Sequence, residues 1–231
     1  MSDAETGEGK VPTVNRSTEK IRSDVAKAGG VEGGGGGTIF TEPVLVVSQK
    51  VKVIELSNEY AIFDQTGTQI GAVRQVGQST AKKVLRVLTN VDQFLTHKYQ
   101  VVDAQGQVQL QLTRPAKVMK SKIIVQDGQG TEIGQILQEN MIGKIRFGLV
   151  ANGQAVGTIN AENWRAWNFS ITDAGGTEVA RITKTFAGLA RVMFTTADNY
   201  VVQIHRPLEG ALQMLVVAAA VSVDTALKQD E

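Results

Sequence analysis

The chain has 231 residues, 42% of them hydrophobic, no cysteine, and a formal net charge of +1. That is enough material for one large β domain or two ordinary domains, and near-neutrality excludes the electrostatic footprint of a nucleic-acid-binding protein. The missing cysteine removes disulfides, thiolate chemistry, cysteine-based zinc sites and palmitoyl anchors together, and it fits a reducing cytosol.

Residues 1–37 read as a flexible, polar tail. Charges at Asp3, Glu5, Glu8 and Lys10, with no apolar stretch beside them, give the expectation of no secretory signal. Ser2 stands where a myristoylated chain needs glycine. A short helix over 17–27, with Ser17 as N-cap, would have only Ile21 and Val25 as apolar anchors, so disorder is expected instead. The glycines at 33–37 follow no strand and open no helix, and they read as a linker rather than a phosphate loop. The folded domain is expected over 38–231.

From Thr38 onward a degenerate unit recurs: an apolar run, Asp, two residues, Gly, and a second apolar run. It appears as YAIFDQTGTQIGAV, YQVVDAQGQVQLQL, IIVQDGQGTEIGQI and FSITDAGGTEVARI, with FGLVANGQAVGTI as a shorter relative. Each predicts two strands joined by a tight turn, with Gly67, Gly106, Gly130, Gly153 and Gly176 supplying the turn geometry. The spacing is irregular, which excludes a solenoid or a propeller of fixed period.

Within the units, Val108, Leu110 and Leu112 alternate with Gln107, Gln109 and Gln111, and Phe169 and Ile171 alternate with Asn168, Ser170 and Thr172. Tyr200, Val202 and Ile204 oppose Val201, Gln203 and His205, where Val201 breaks the polar side. One wet and one dry face argue an antiparallel sheet. Residues 80–88 interrupt the pattern with a helical one, carrying Val84, Leu85 and Leu88 on one face.

Five hairpins with their flanking runs predict about ten to twelve strands, a sheet large enough that it must curl, split or close. A closed barrel of that size needs a plug, because its own side chains do not fill the lumen.

The plug is predicted at the end of the chain. Residues 207–228 read as a helix, and 211–223 are interrupted only by Gln213 and Ser222. A helix that is apolar all round is buried in a core or in a membrane. These thirteen nearly uninterrupted apolar positions reach about 20 Å against a hydrocarbon core of about 30 Å, and lengthening the span would draw in Glu209 and Asp224. The fold expected is therefore mainly β: a closed antiparallel barrel around a buried C-terminal hydrophobic helix.

No residues form a catalytic constellation, and an enzyme is not expected. His97 and His205 are the two histidines, too few for a zinc site of the usual kind, and His205 has the polar parity of its strand. No G-x-S-x-G, H-E-x-x-H or Walker sequence is present. What remains are candidates for a surface that meets phospholipid headgroups. Basic residues group as Lys82, Lys83, Arg86; as Lys117, Lys120, Lys122; and as Lys144, Arg146. Trp164 and Trp167, with Arg165 between them, are of the type that favours membrane interfaces. Packing against the barrel accounts for the tryptophans equally well, and a solvated face for the charges.

The ordered part of the chain resembles the phospholipid scramblase family, whose domain is similar to the C-terminal domain of tubby-like proteins. The residues that carry this are NEYAIFDQTGTQIG at 58–71, VVDAQGQVQLQLTRP at 101–115, RITKTFAGLARVMFTTADNYVVQ at 181–203, and the terminal apolar helix. The resemblance spans about residues 38–228. It implies a twelve-stranded antiparallel barrel around the helix, and calcium-dependent, ATP-independent movement of phospholipids between leaflets. Tubby-type relatives imply instead a module that docks on anionic lipids or on a protein partner. It also implies a cytoplasmic, membrane-associated protein, peripheral at the plasma membrane.

The family's calcium segment falls on residues 196–200 and leaves Asp198 and Asn199 as oxygen ligands, with Thr196 in place of the opening acid. The run continues as His205, Arg206 and Pro207 where the family keeps acids. Calcium takes about six to eight oxygens, several from carboxylates, so weak calcium binding at most is expected.

Overall fold

The computed structural model describes residues 34–49, 60–77, 96–116, 120–140, 145–163, 168–183 and 199–227. Among them are twelve strands: β1 (Val44–Gln49), β2 (Tyr60–Phe63), β3 (Gln69–Val76), β4 (His97–Asp103), β5 (Val108–Arg114), β6 (Lys122–Asp127), β7 (Glu132–Gln138), β8 (Arg146–Ala151), β9 (Gln154–Asn163), β10 (Asn168–Asp173), β11 (Glu178–Thr183) and β12 (Asn199–Ile204). One helix, α1 (Gly210–Leu227), follows them. Each strand pairs antiparallel with the next, and β12 returns to pair with β1, which closes the barrel. The expected strand number and the closure both hold.

The repeated unit becomes a repeated turn. In the loops that open with Asp64, Asp103, Asp127 and Asp173, the glycine three residues on donates its N–H to the Asp carbonyl at 3.0–3.1 Å. Each Asp Oδ1 accepts two further backbone N–H bonds, from Thr66 and Thr68, Gln105 and Gln107, Gln129 and Thr131, or Gly175 and Thr177. Asp therefore fits this position because its short carboxylate satisfies turn donors that the ladder cannot. Gly130 has φ 90°, in the left-handed region where a Cβ is penalised.

The shorter relative uses a different solution. Ala151 pairs directly with Gln154, so Asn152 and Gly153 form a two-residue loop with φ 49° and 74°. That is the Asn-Gly geometry whose twist matches a hairpin.

Alternation places Leu110 and Leu112 of β5 and Phe169 and Ile171 of β10 on the inner face, each no more than 2% exposed. In one sector the outer face is buried as well: Val46 of β1, its partners Phe63 and Val201, and Ala61 and Ala72 beyond them. Val201, which spoiled the predicted polar side of β12, belongs to this sector.

Small residues recur near the start of the returning strand. Gly71, Gly134 and Ala180 stand two positions after the first residue of β3, β7 and β11, and Gly157 three positions after that of β9. A Cβ on Gly134 would lie 2.3 Å from the Val150 carbonyl oxygen and 3.3 Å from Leu215 of α1. On Gly157 it would meet the Thr172 carbonyl oxygen at 2.4 Å and Leu212 at 3.3 Å. Strand and helix approach here so closely that no side chain fits between them.

The helix fills the lumen. Leu215, Val216, Val217, Ala218, Ala219, Ala220 and Val221 are each no more than 2% exposed. Seven consecutive residues cover nearly two turns, so the burial extends round the whole circumference. The axis runs nearest to β7, with β5, β6, β8 and β9 around it.

The helix starts three residues later than Pro207, at Gly210, whose φ of 58° turns the chain from β12 into the lumen. Leu208 is buried beneath that turn. Gln213, one of the two polar interruptions, donates through Nε2 to the Phe40 carbonyl at 2.9 Å. The other, Ser222, is buried.

The glycines at 34–37 pack against the domain. Gly35 and Gly37 donate their N–H groups to the Glu42 carboxylate at 2.8 and 2.6 Å, and Gly36 donates to Asp64 at 3.2 Å. Positive φ at Gly35 (111°) and Gly36 (83°) allows successive N–H groups to converge on carboxylates, an arrangement any larger residue would strain.

Candidate functional site

An up-and-down barrel has two ends, and its connections alternate between them. One end holds the tight turns at 64–68, 103–107, 127–131, 152–153 and 173–177, together with residues 34–43 and the start of α1. The other end receives the remaining six connections, at 50–59, 77–96, 115–121, 139–145, 164–167 and 184–198. We call these the turn end and the open end.

Every candidate headgroup residue belongs to an open-end connection or to a strand terminus beside one. Lys117, Lys144, Trp164, Arg165 and Trp167 lie outside the described residues, as does the group Lys82, Lys83 and Arg86. The expected short helix at 80–88 lies outside them too.

Lys120, Lys122 and Arg146 are described, and they come together. Lys122 opens β6 and pairs with Leu137 of β7, while Arg146 opens β8 beside the end of β7. Lys120 Nζ donates to the Glu139 carbonyl at 2.6 Å, and Arg146 Nε meets the Glu139 carboxylate at 2.8 Å. Both side chains in that ion pair are about half exposed, at 52% and 42%, so solvent screens it and it holds the arginine only weakly. Lys98, exposed on β4, adds a cation at the same end that the sequence grouping did not single out.

Inside the open end sit two residues of which the sequence indicated only the identity. His97 and Arg114 are paired across β4 and β5, point inward, and are 1% and 5% exposed. His97 shares a 2.8 Å hydrogen bond with Gln75 Nε2 and stacks on Tyr99 with ring centroids 6.4 Å apart. Arg114 belongs to the Leu-Thr-Arg-Pro run at 112–115, and the parity it shares with Leu110 and Leu112 is the sequence signal for its inward position. His205 has the surface position its parity predicted, 41% exposed and 3.9 Å from Glu178.

The calcium segment at 196–200 lies largely outside the described residues. Asp198 lies outside the described residues, and Asn199 begins β12, its backbone paired with Ser48. The strand then carries the chain the length of the barrel, so Arg206 reaches the turn end, where it pairs with Asp173 at 2.9 Å. Residues 199 and 206 are separated by about 20 Å of strand at ~3.3 Å per residue, against ligand distances of about 2.3–2.6 Å for calcium. Residues 199 and 206 therefore lie too far apart to share one cation. Among the described residues, no group of three or more His, Asp or Glu is placed to hold a metal.

Two outer-surface charge arrangements are structural. Arg181 binds Glu162 at 2.7 Å, Glu178 at 2.6 Å and the Asn168 amide oxygen at 2.7 Å, joining β9, β10 and β11. These carboxylates, Glu162 first, hold its guanidinium pKa above the ordinary value. The Asp173 carboxyl is held below its ordinary value, foremost by the Thr177 N–H, and also by Arg206 and the Gly175 N–H.

Among the described residues, no helix is long and apolar enough to cross a membrane. The family model described as Scramblase matches residues 37–227. A phospholipid scramblase family protein of Schizosaccharomyces pombe is 25% identical to the chain, over 71% of it and 47% of the relative. The altered inheritance rate of mitochondria protein 25 of Saccharomyces cerevisiae is 26% identical, over 84% of the chain and 67% of the relative. The chain thus spans about half the length of the first relative and two thirds of the second. An X-ray structure of an Arabidopsis thaliana protein aligns with a TM-score of 0.47 and 12% identity, covering 82% of this chain and 99% of that one.

Proposed function

Because the chain belongs to the scramblase family, we propose that it works at a membrane surface, binding anionic phospholipid headgroups as a peripheral protein on the cytoplasmic side of the plasma membrane. The observation that carries this reading is the gathering of Lys120, Lys122 and Arg146 on neighbouring strand termini at the open end. Exposed cations of this kind attract an anionic bilayer without needing a pocket or a catalytic group. The apolar helix that might have anchored the chain is used inside the barrel, where it supplies the core.

Co-sedimentation with vesicles containing phosphatidylserine tests the proposal. Binding should be strong at low ionic strength and fall steeply as salt is raised, because screening shortens the reach of the headgroup field. Binding that ignores salt, or no binding at all, would overturn it. The Saccharomyces cerevisiae relative's name refers to mitochondrial inheritance, so fractionation should compare plasma membrane with mitochondrial membranes, each followed by alkaline extraction.

Transbilayer phospholipid movement without ATP is the second reading, favoured by family membership and by the Schizosaccharomyces pombe relative's name. Among the described residues the helix fills the lumen, which speaks against a lipid path through the barrel. Movement would have to run along the outer surface or through a disturbed bilayer beneath the open end. Reconstituted protein should then speed the loss of leaflet asymmetry of a labelled lipid, and an unchanged rate would leave surface binding as the function.

A further inference from the structure

The five tight turns differ in how they hold the side chain that opens them. At Asp64, Asp103, Asp127 and Asp173 the carboxylate accepts backbone N–H bonds from within the turn. Asn152 departs from this pattern. It lies exposed at the tip of the two-residue loop between β8 and β9. Among the described residues, none hydrogen-bonds to its carboxamide or to the Gly153 N–H. A Cβ built on Gly153 would meet no atom within 4 Å. The carboxamides of Asn140, Asn160 and Asn168 are all engaged, by the Arg146 N–H, by Thr158 Oγ1, and by Arg181 with Glu162.

We infer that Asn152 is a spontaneous modification site, at which the chain converts its own asparagine to aspartate and isoaspartate. The Gly153 backbone nitrogen loses its proton and bonds to the side-chain carbonyl carbon of Asn152. The bond from that carbon to the amide nitrogen breaks, and ammonia leaves. Water then opens the five-membered imide at either carbonyl. One opening gives aspartate, and the other routes the main chain through the side chain. Two features of the loop favour the attack: Gly153 has no Cβ to shield its nitrogen, and an exposed loop tip opens locally at little cost. The chain has one other Asx–Gly pair, Asp127–Gly128. There Oδ1 accepts the Gln129 and Thr131 N–H groups at 2.9 and 2.8 Å, and a Cβ on Gly128 would stand 2.2 Å from the Val108 carbonyl oxygen. Cyclisation at Asp127 must first break those bonds to the carboxylate.

The two products differ in what they do to the barrel. Asp-Gly suits the same two-residue turn as Asn-Gly, so the aspartyl form keeps the pairing of Ala151 with Gln154. Isoaspartate adds a methylene to the main chain inside a loop whose length fixes the register. The β8–β9 hairpin then frays from its tip. Both products carry a new carboxylate, which takes the formal net charge from +1 to zero.

Incubation of the purified full chain at neutral pH, followed by isoelectric focusing and peptide mapping with electron-transfer fragmentation, measures both products. The main acidic species should map to Asn152 and be missing from Asn152→Gly, whose Gly-Gly loop suits the same turn. Compared with the chain unfolded in guanidinium chloride, folding should slow the reaction at Asn152 by less than about tenfold. It should slow isomerisation at Asp127 by more than about a hundredfold. The isoaspartyl form should exchange amide hydrogens over residues 149–155 severalfold faster than Asn152→Asp. Protection of Asn152 as strong as that of Asp127, or acidic species undiminished in Asn152→Gly, would overturn the site. Equal exchange in the isoaspartyl form and in Asn152→Asp would overturn the fraying.

Discussion

At the scale of single residues, the hairpins depend on two groups with separate tasks. The Asp carboxylate gathers turn N–H donors, and the glycine accepts a backbone conformation that a Cβ resists. Both were legible from sequence, because Asp-x-x-Gly between apolar runs has a local physical cause. Asp173 adds a pH dependence. Its pKa lies below the ordinary 3.8 in the folded protein, so ionised Asp173 stabilises the fold above the unfolded value. That contribution is lost as pH falls through the lower folded value. Asp173→Asn should therefore lower the melting temperature at neutral pH and lose less of it between about pH 5 and 2. An acid limb as steep as that of the parent protein would show that Asp173 does not contribute.

At the scale of elements, α1 and the strands around it are fitted to each other through missing side chains. Gly134 and Gly157 bring the β7 and β9 backbones against Leu215 and Leu212. Gly134→Val should cost about 1–3 kcal/mol, because a new side chain must displace both a neighbouring carbonyl and the helix. Leu215→Ala, which empties a fully buried site, should cost about 2–5 kcal/mol. Denaturant midpoints measure both. If Gly134→Val has no effect, the helix has room to move and the close approach is not a constraint.

The helix itself was legible from its apolar circumference. Its first turn was not, because Pro207 and Glu209 are ordinary helix openers. What displaced the start to Gly210 is the path from the end of β12 into the lumen, a tertiary demand met by a positive φ. The glycines at 34–37 show the same limit. Glycine runs read as linkers because they lack side chains, but the Glu42 and Asp64 carboxylates supply acceptors from outside the run.

At the scale of the whole molecule, topology decides what the surface can do. Arg146 is remote in sequence from Lys120 and Lys122, and the antiparallel order brings its strand terminus beside theirs. The same order carries β12 from one end to the other and separates Asn199 from Arg206. Asp198→Ala should therefore leave vesicle binding in calcium unchanged within about twofold, for want of the several carboxylates calcium prefers. A large calcium-dependent response that this substitution removes would mean that a site is assembled from other ligands.

The sequence by itself determined the strands, the Asp and Gly of their turns, the buried helix and the family, because each depends on local periodicity, turn chemistry or residue identity. Tertiary structure decided which residues share an end of the barrel, which outward positions are buried and which ligands are kept apart. Those are distances through space between segments remote along the chain, and they exist only once β12 has closed on β1.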